Sequence, residues 1–571
     1  MRSAARGLAA AGLAAALLLP GAGGLARAGP AAGGSPVVAA DTSFDPSPGF
    51  DVLHYDYRVE LGERDPSIRA RQRVRFRVGR AGLSRVGLDL EGLEVDSVRA
   101  GGRRVAASRP PGDGRVLIPL PDSAALGQGD TASVTVYYGG RPSDGLILRE
   151  NVHGDWTAFS DNWPNRARHW FASVDHPADK ASVTHRVEVP EGWATVANGV
   201  KTADRPVGPG RRLHVWRQEA DIPVYTMVIG AGPLAVVANG RAPDAGRRGR
   251  DVPITRVVFP EDVGITARPF RRSARMVEIF SRLVAPFPYR KLAQVQSATR
   301  YGGMENAGAI FYSEEALAEG EMSETTVAHE VAHQWFGDAV TEARWTHLWL
   351  SEGFATYFAA VFHRIADGEE AFRREMREAE ESYLASDAVA RPVIRPERPA
   401  ELTDLLSANN YQKGGWVLHM LRGVVGDSAF LDGMRRYYDA HRDRAALTAD
   451  LRSAVEEASG RDLDWFFDQW LRRPGHPRLE ATWSWRPAGG DRQGAVEIRV
   501  RQTQEWPPYR LKLPVRVRTG DGETVDRAVW IPAAREATRR IRLPSAPAEV
   551  AVDPENRILG PVTAVREADP G

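Results

Sequence analysis

The 571-residue chain contains no cysteine. It can form no disulfide and no thiolate metal site, so packing alone must stabilise it, and any ion must be held by His, Asp or Glu. Lysine is scarce, with five residues, and arginine supplies the other basic side chains. Charge of one sign is not in excess: 75 basic and 74 acidic residues give a formal +1. That balance offers no support for a nucleic-acid partner or an anionic membrane surface. No apolar run is long enough to cross about 30 Å of hydrocarbon, so no membrane span is expected. The nearest approach, Leu8 to Leu19, follows Arg2 and Arg6 and precedes Ala26-Arg27-Ala28. This is the order of charged, apolar and cleavage regions in a secretory signal. Residues 1–28 therefore read as a signal peptide cleaved after Ala28, and the mature protein as exported, periplasmic or secreted. Without cysteine, a lipid anchor at that site is excluded.

The apolar content of 43% is ample for several cores. Residues 29–48 are rich in Gly, Ala, Pro and Ser and read as a disordered linker. Residues 49–235 follow period two, as in Tyr55, Tyr57, Val59 and Leu61, then Val74, Phe76 and Val78, with Gly, Pro and Asp turns between runs. This predicts a mostly antiparallel N-terminal β domain. The period changes near 265, where Phe270, Ala274, Val277, Phe280 and Val284 fit one helical face. Further helices are expected over 324–337, with Ser323 as N-cap, and over 346–364, 369–388, 413–424 and 448–471. A long loop is expected around Pro392, Pro396 and Pro399. A mostly helical domain is thus drawn over 236–476. Alternation returns from Pro477, giving a small C-terminal β-sandwich over 477–565. The fold class is multidomain α+β.

The strongest chemical signal is His329-Glu330-Val331-Ala332-His333, followed by Glu352 nineteen residues after the second histidine. On a helix, positions i and i+4 share a face, so both imidazoles can point at one ion. Glu330 stands where it can reach a water on that ion. Zinc accepts two His and one carboxylate while keeping a fourth position open, and Glu352 is the natural third ligand. The same residues on a solvated helix would be surface decoration. The apolar neighbours Val331, Ala332, Trp335 and Phe336 argue for a buried helix, where a histidine pair needs a partner. Just upstream, Gly302-Gly303-Met304-Glu305-Asn306 could let a ligand backbone approach the glycines while Glu305 binds a cation, or could be a hairpin turn with a surface glutamate. Tyr411, beside Asn409 and Asn410, could be ordinary loop packing. Asp338 and Glu324 read as solvated helix ends.

Taken together, the GGMEN run, the HExxH run with its distant Glu352, and Tyr411-Gln412-Lys413-Gly414 resemble the aminopeptidase N family of zinc metallopeptidases. The similarity runs from about residue 50 to 560. It implies a thermolysin-like catalytic domain and one zinc ion per chain, held by His329, His333 and Glu352. It implies Glu330 as the general base on a zinc-activated water, and Tyr411 as donor to the oxyanion. Glu305, helped by Glu352, would bind the free amino group of a peptide substrate, with Gly302, Gly303, Met304 and Asn306 lining its backbone.

Two departures from the resemblance stand out. The segment Asn162 to Arg168, with Asp175, His176, Pro177 and Lys180, resembles the family's N-domain signature. Where a second anchor for the amine belongs, this chain has Trp163, so Asp161 or Asp155 substitutes or the anchor is missing. The large helical C-terminal domain of longer members is also not expected here, which would leave the site more open. The expected function is an exported zinc aminopeptidase acting on peptides with a free N-terminus. The alternatives are a zinc endopeptidase, an epoxide hydrolase-like relative, and a non-catalytic scaffold.

Overall fold

The computed structural model describes residues 49–121, 126–487 and 494–566. The expected signal peptide and linker lie outside the described residues. Among the described residues, no helix is long and apolar enough to cross a membrane.

The N-terminal region is built on an eight-stranded sheet. Its strands run, from one edge to the other, Val200–Gly208, Arg211–Pro223, Lys180–Pro190, Phe50–Gly62, Asp65–Val78, Thr131–Gly140, Glu94–Ala100 and Arg103–Val105. Asp65–Val78 shows why these residues make a strand. Ile68, Ala70, Val74, Phe76 and Val78 are buried while the arginines between them face solvent, the period that a half-buried strand requires. All pairings are antiparallel except that of Phe50–Gly62 with Lys180–Pro190. A four-stranded sheet, Ala194–Ala197, Ile229–Gly232, Trp156–Ser160 and Leu146–Glu150, adjoins it.

The helical region opens with a sheet that the helical periodicity of the sequence did not announce. Five strands lie in the order Ala235–Gly246, Arg250–Val258, Leu292–Ser297, Ala309–Ser313 and Gly303–Met304. Among the described residues the last is an outer strand, paired only with Ala309–Ser313, so its other edge is open to pairing. Helices follow over Glu324–His333, Trp349–Asp367, Glu369–Ala385 and Gly414–Val425. Ser323 caps the first of these, its Oγ accepting from Thr326 N at 3.0 Å. The helix expected over 448–471 is two, Thr448–Ser459 and Asp464–Leu471, because Gly460 adopts φ +66° and closes the first. Asp427–His441 is a further helix. Its buried Phe430, Met434, Tyr437 and Tyr438 recur at helical spacing, a signal that the sequence did carry.

The C-terminal region has two sheets. One runs Glu536–Leu543, Gly494–Gln502, Leu479–Arg486, Val562–Arg566, and the other Thr524–Ile531, Leu511–Thr519, Pro547–Val552. Val496, Ile498 and Val500 of the first and Leu513, Val515 and Val517 of the second are buried in the core.

The regions are locked by polar contacts. Lys180 donates from its buried ammonium to Asp338 O (2.7 Å), Ala339 O (2.8 Å) and Thr341 Oγ1 (3.0 Å), just beyond the HExxH helix. Tyr225 donates to Gly337 O at 3.1 Å. On the other side, Arg510 stacks over the rings of Trp465 and Trp530, and its backbone exchanges two hydrogen bonds with the Gln469 side chain.

Candidate active site

The HExxH helix is mostly buried, with Glu324, Thr325 and His329 partly exposed, and packs beside Trp349–Asp367. That neighbour is itself apolar on most sides: Trp349, Leu350, Phe354, Ala355, Tyr357 and Phe358 are all buried. The close pair delivers His329, His333 and Glu352 to one point. His329 Nε2 and His333 Nε2 are 3.0 Å apart, and Glu352 Oε2 lies 3.2 Å from the first and 3.3 Å from the second. Three ligands of a tetrahedral zinc at about 2.1 Å stand about 3.4 Å from one another, so this triangle is the face of such a polyhedron.

The ring nitrogens are also turned the right way. His333 Nδ1 lies 3.0 Å from Phe336 O, and a carbonyl can only accept, so a ring proton sits on Nδ1 and Nε2 is the nitrogen turned toward the triangle. Ser351 Oγ sits 3.1 Å from the same Nδ1. Two imidazole nitrogens 3.0 Å apart with a carboxylate alongside converge as the ligands of one cation do. Burial alone would raise the Glu352 carboxyl, but the His333 charge and the hydrogen bonds of both imidazoles hold it down at about 2. The residues fit zinc.

Around the triangle stand three more groups. Glu330 lies directly across Gly303, where a Cβ would meet its carboxyl and displace it. Burial pushes the Glu330 carboxyl well above the ordinary range, with the Glu305 and Glu352 charges adding to the effect and the His333 charge opposing it. The segment is a hairpin, with Gly303–Met304 antiparallel to Ala309–Ser313, but Glu305 is 5% exposed and is no surface glutamate. Burial raises its carboxyl to about 7, against the pull of the His333 charge and with a push from Glu352. One ligand atom each of Glu305, Glu330 and His333 lie within 4.8 Å of one another. Met304 and Asn306 are buried, whereas Gly302 is exposed and open, with nothing within 4 Å of where a Cβ would stand.

Tyr411 comes from the segment Asn409–Lys413, a single wide helical turn of the kind often found at functional sites, leading into Gly414–Val425. Its ring lies nearly parallel to that of His329, at 10° and 5.9 Å between centroids. Burial raises the pKa of its hydroxyl well above the usual phenol value, and the Glu352 and Glu305 charges add to the effect. The loop before it is held down: Asn409 Nδ2 donates to Ala388 O (2.8 Å) and Arg391 O (3.0 Å), and Asn410 Nδ2 to Leu405 O (2.7 Å).

Other residues singled out in the sequence are placed differently. Trp163 is buried and packs edge-on against Tyr301 (5.9 Å) and Trp345 (5.7 Å), an aromatic wall with no carboxylate to offer. Asp161 is committed to Arg166, at 2.7 Å, and to Thr299. Asp155 sits in the turn begun by Asn151, whose side chain accepts from its backbone N–H at 2.9 Å. Asp338 is not at a solvated helix end. It is fully buried and accepts from Gln334 Nε2 at 2.8 Å, because Gln334 bridges the helix end to the Glu305 carbonyl (2.6 Å). Glu324 is half-buried in an ion pair with Arg272, which also reaches Asp367. Tyr225 and Glu342, both buried near Glu305, were not marked by any sequence pattern.

A buried HExxH helix, a carboxylate from the next helix and a free strand edge beside them define a metallopeptidase-type site. The descriptions "Peptidase M1 N-terminal domain" and "Peptidase family M1 domain" match residues 52–226 and 270–470. The chain belongs to the M1 peptidases, the aminopeptidase N family. Aminopeptidase N of Streptomyces lividans is 30% identical over 340 residues, covering 54% of this chain and 37% of that protein. Tricorn protease-interacting factor F2 of Thermoplasma acidophilum is 28% identical over 350 residues, or 58% and 43% of the two chains. The chain thus spans about two fifths of the length of these relatives. The M1 zinc metallopeptidase of Deinococcus radiodurans superposes with a TM-score of 0.64 at 27% identity, covering 74% of this chain and 93% of that one.

Proposed function

We propose that this chain is a zinc-dependent aminopeptidase that removes the N-terminal residue of peptides. The observation that carries the reading is the buried Glu305 carboxylate, set at the end of a free strand edge beside the His329, His333 and Glu352 triangle. An extended peptide pairs with the open edge of Gly303–Met304 by main-chain hydrogen bonds. Its ammonium group reaches Glu305 and is shared with Glu352, and this fixes the register so that the first peptide bond lies at the triangle. His329, His333 and Glu352 would hold zinc, which supplies polarisation of the scissile carbonyl and acidification of water. Glu330, whose carboxyl burial makes more basic, takes the proton of the attacking water and returns it to the leaving amine. Tyr411 donates its hydroxyl to the developing oxyanion. Asn306 and Gly302 flank the path of the substrate backbone.

Support comes from the site itself and from relatives whose names describe aminopeptidases and zinc metallopeptidases. The division into 49–235, 236–476 and 477–565 belongs to this proposal, as does export through residues 1–28. N-terminal sequencing of protein recovered from the expressing cell should begin at Gly29. For the activity, the test is a panel of aminoacyl fluorogenic amides with chelator and with zinc restored. Hydrolysis should vanish on chelation and return with one equivalent of zinc per chain. Hydrolysis indifferent to chelation would reject the reading.

A further inference from the structure

Lys413 ends the turn Asn409–Lys413 that carries Tyr411, and its side chain is fully buried. A buried amino group needs acceptors. Lys413 finds them in the segment that leads from the helix Asp464–Leu471 to the first C-terminal strand, Leu479–Arg486. Its Nζ donates to Gly475 O at 3.0 Å and to Arg473 O at 3.4 Å, and lies 5.6 Å from the centre of the Tyr383 ring. Gly475 is a junction. Its carbonyl also accepts from the Tyr383 hydroxyl (3.1 Å), and its N–H donates to Val389 O (2.8 Å). With φ at +81°, it turns the place of a Cβ toward the Trp506 ring of the C-terminal region. Beside it, Pro474 O accepts from the hydroxyl of Tyr509, of the same region, at 3.1 Å. The other end of the turn reaches the same neighbourhood, since Asn409 Nδ2 donates to Ala388 O and Arg391 O on either side of Val389. The turn that carries Tyr411 is thus tied at both ends to one hydrogen-bonded knot, and the C-terminal region is part of that knot.

We propose that Lys413 is a positioning residue for Tyr411: through Gly475 and Pro474 it fixes the turn to the C-terminal region, which thereby helps to place the oxyanion donor. The inference rests on the role given to Tyr411 above. Lys413 acts only through Tyr411. A donor displaced by about 1 Å loses much of its worth once charge develops on the substrate oxygen, and little before. The cost of releasing the turn therefore falls on kcat rather than on KM.

Lys413→Met is the informative variant, since methionine keeps an unbranched stem and removes the donors. With alanyl-aminomethylcoumarin as substrate, kcat should fall about ten- to a hundredfold. KM should stay within about twofold of wild type, and zinc content should match it. The double variant distinguishes positioning from mere stabilisation. Added to Tyr411→Phe, Lys413→Met should lower kcat by no more than about twofold further, because the hydroxyl it would place is already gone. A Lys413 that only stabilises the fold would lower kcat by the same factor in both backgrounds. That result, or an unchanged kcat in the single variant, would overturn the inference. Should Lys413→Met fail to fold, Tyr509→Phe goes through the same cycle. It loses only the hydroxyl on Pro474 O, and should lower kcat about two- to tenfold, the scale of one hydrogen bond, with KM held. This effect too should vanish in the Tyr411→Phe background, and an unchanged kcat or an equal loss in both backgrounds rejects the proposal. Tyr411→Phe alone separates the two readings. If it keeps the wild-type kcat, the role of Tyr411 as oxyanion donor has failed, and this inference with it. If it loses turnover while Lys413→Met keeps the wild-type kcat, this inference alone has failed.

Discussion

In the proposed mechanism Tyr411 and Glu330 do opposite things with protons, and this separates their variants. Tyr411 keeps its proton at any working pH, because burial raises its pKa well above the phenol range, so it can act only as a donor. Its hydroxyl matters when charge develops on the substrate oxygen, and little before. Tyr411→Phe should lower kcat by ~10²–10³ and leave KM nearly unchanged, as steady-state kinetics will show. An effect confined to KM would make Tyr411 a binding residue. Glu330 must accept a proton, and an amide cannot. Glu330→Gln should retain zinc by elemental analysis yet lose nearly all turnover. Activity within about tenfold of wild type, only ~1.4 kcal/mol in barrier, would assign the base elsewhere.

Among the elements, the two helices that bring Glu352 and Tyr411 together meet at a pair of glycines. A Cβ on Gly353 would lie 2.8 Å from Gly414 Cα, a backbone contact that cannot yield. Gly353→Ala should therefore force the Gly414–Val425 helix outward, carrying Tyr411 with it. It should cost about 1–3 kcal/mol in stability, seen as a lower Tm, and reduce kcat beyond the loss in folded protein. A variant with wild-type Tm and kcat would mean that the helices are free to slide. This contact was invisible in the sequence, where Gly353 and Gly414 are two glycines sixty-one residues apart. Local order was legible where periodicity is strong, as in Asp65–Val78 and Glu324–His333. The ligand spacing named His329, His333 and Glu352, and the structure brings their atoms within 3.3 Å. What local pattern could not carry was long-range pairing: the parallel join of Phe50–Gly62 to Lys180–Pro190, and the five-stranded sheet whose outer strand bears Gly303 and Met304. Glu342 and the buried Asp338 were hidden for a related reason, since charged side chains read as solvated until their surroundings are known.

At the scale of the molecule, the β regions on either side hold the catalytic helices in place. Lys180 and Tyr225 reach from the N-terminal region to the turn after the HExxH helix, and Arg510 clamps the C-terminal region onto Asp464–Leu471. The same N-terminal region supplies Trp163 and Tyr225, which both pack on Trp345. In the proposed reading, the buried Glu305 carboxylate takes the substrate's ammonium group and so sets the register for removing one residue at a time. The most direct test uses one peptide in two forms, free and N-acetylated, with products followed by mass spectrometry. The free form should lose residues singly from its N-terminus, and the acetylated form should be cleaved slower by orders of magnitude. Internal cleavage of both forms at similar rates would contradict the account.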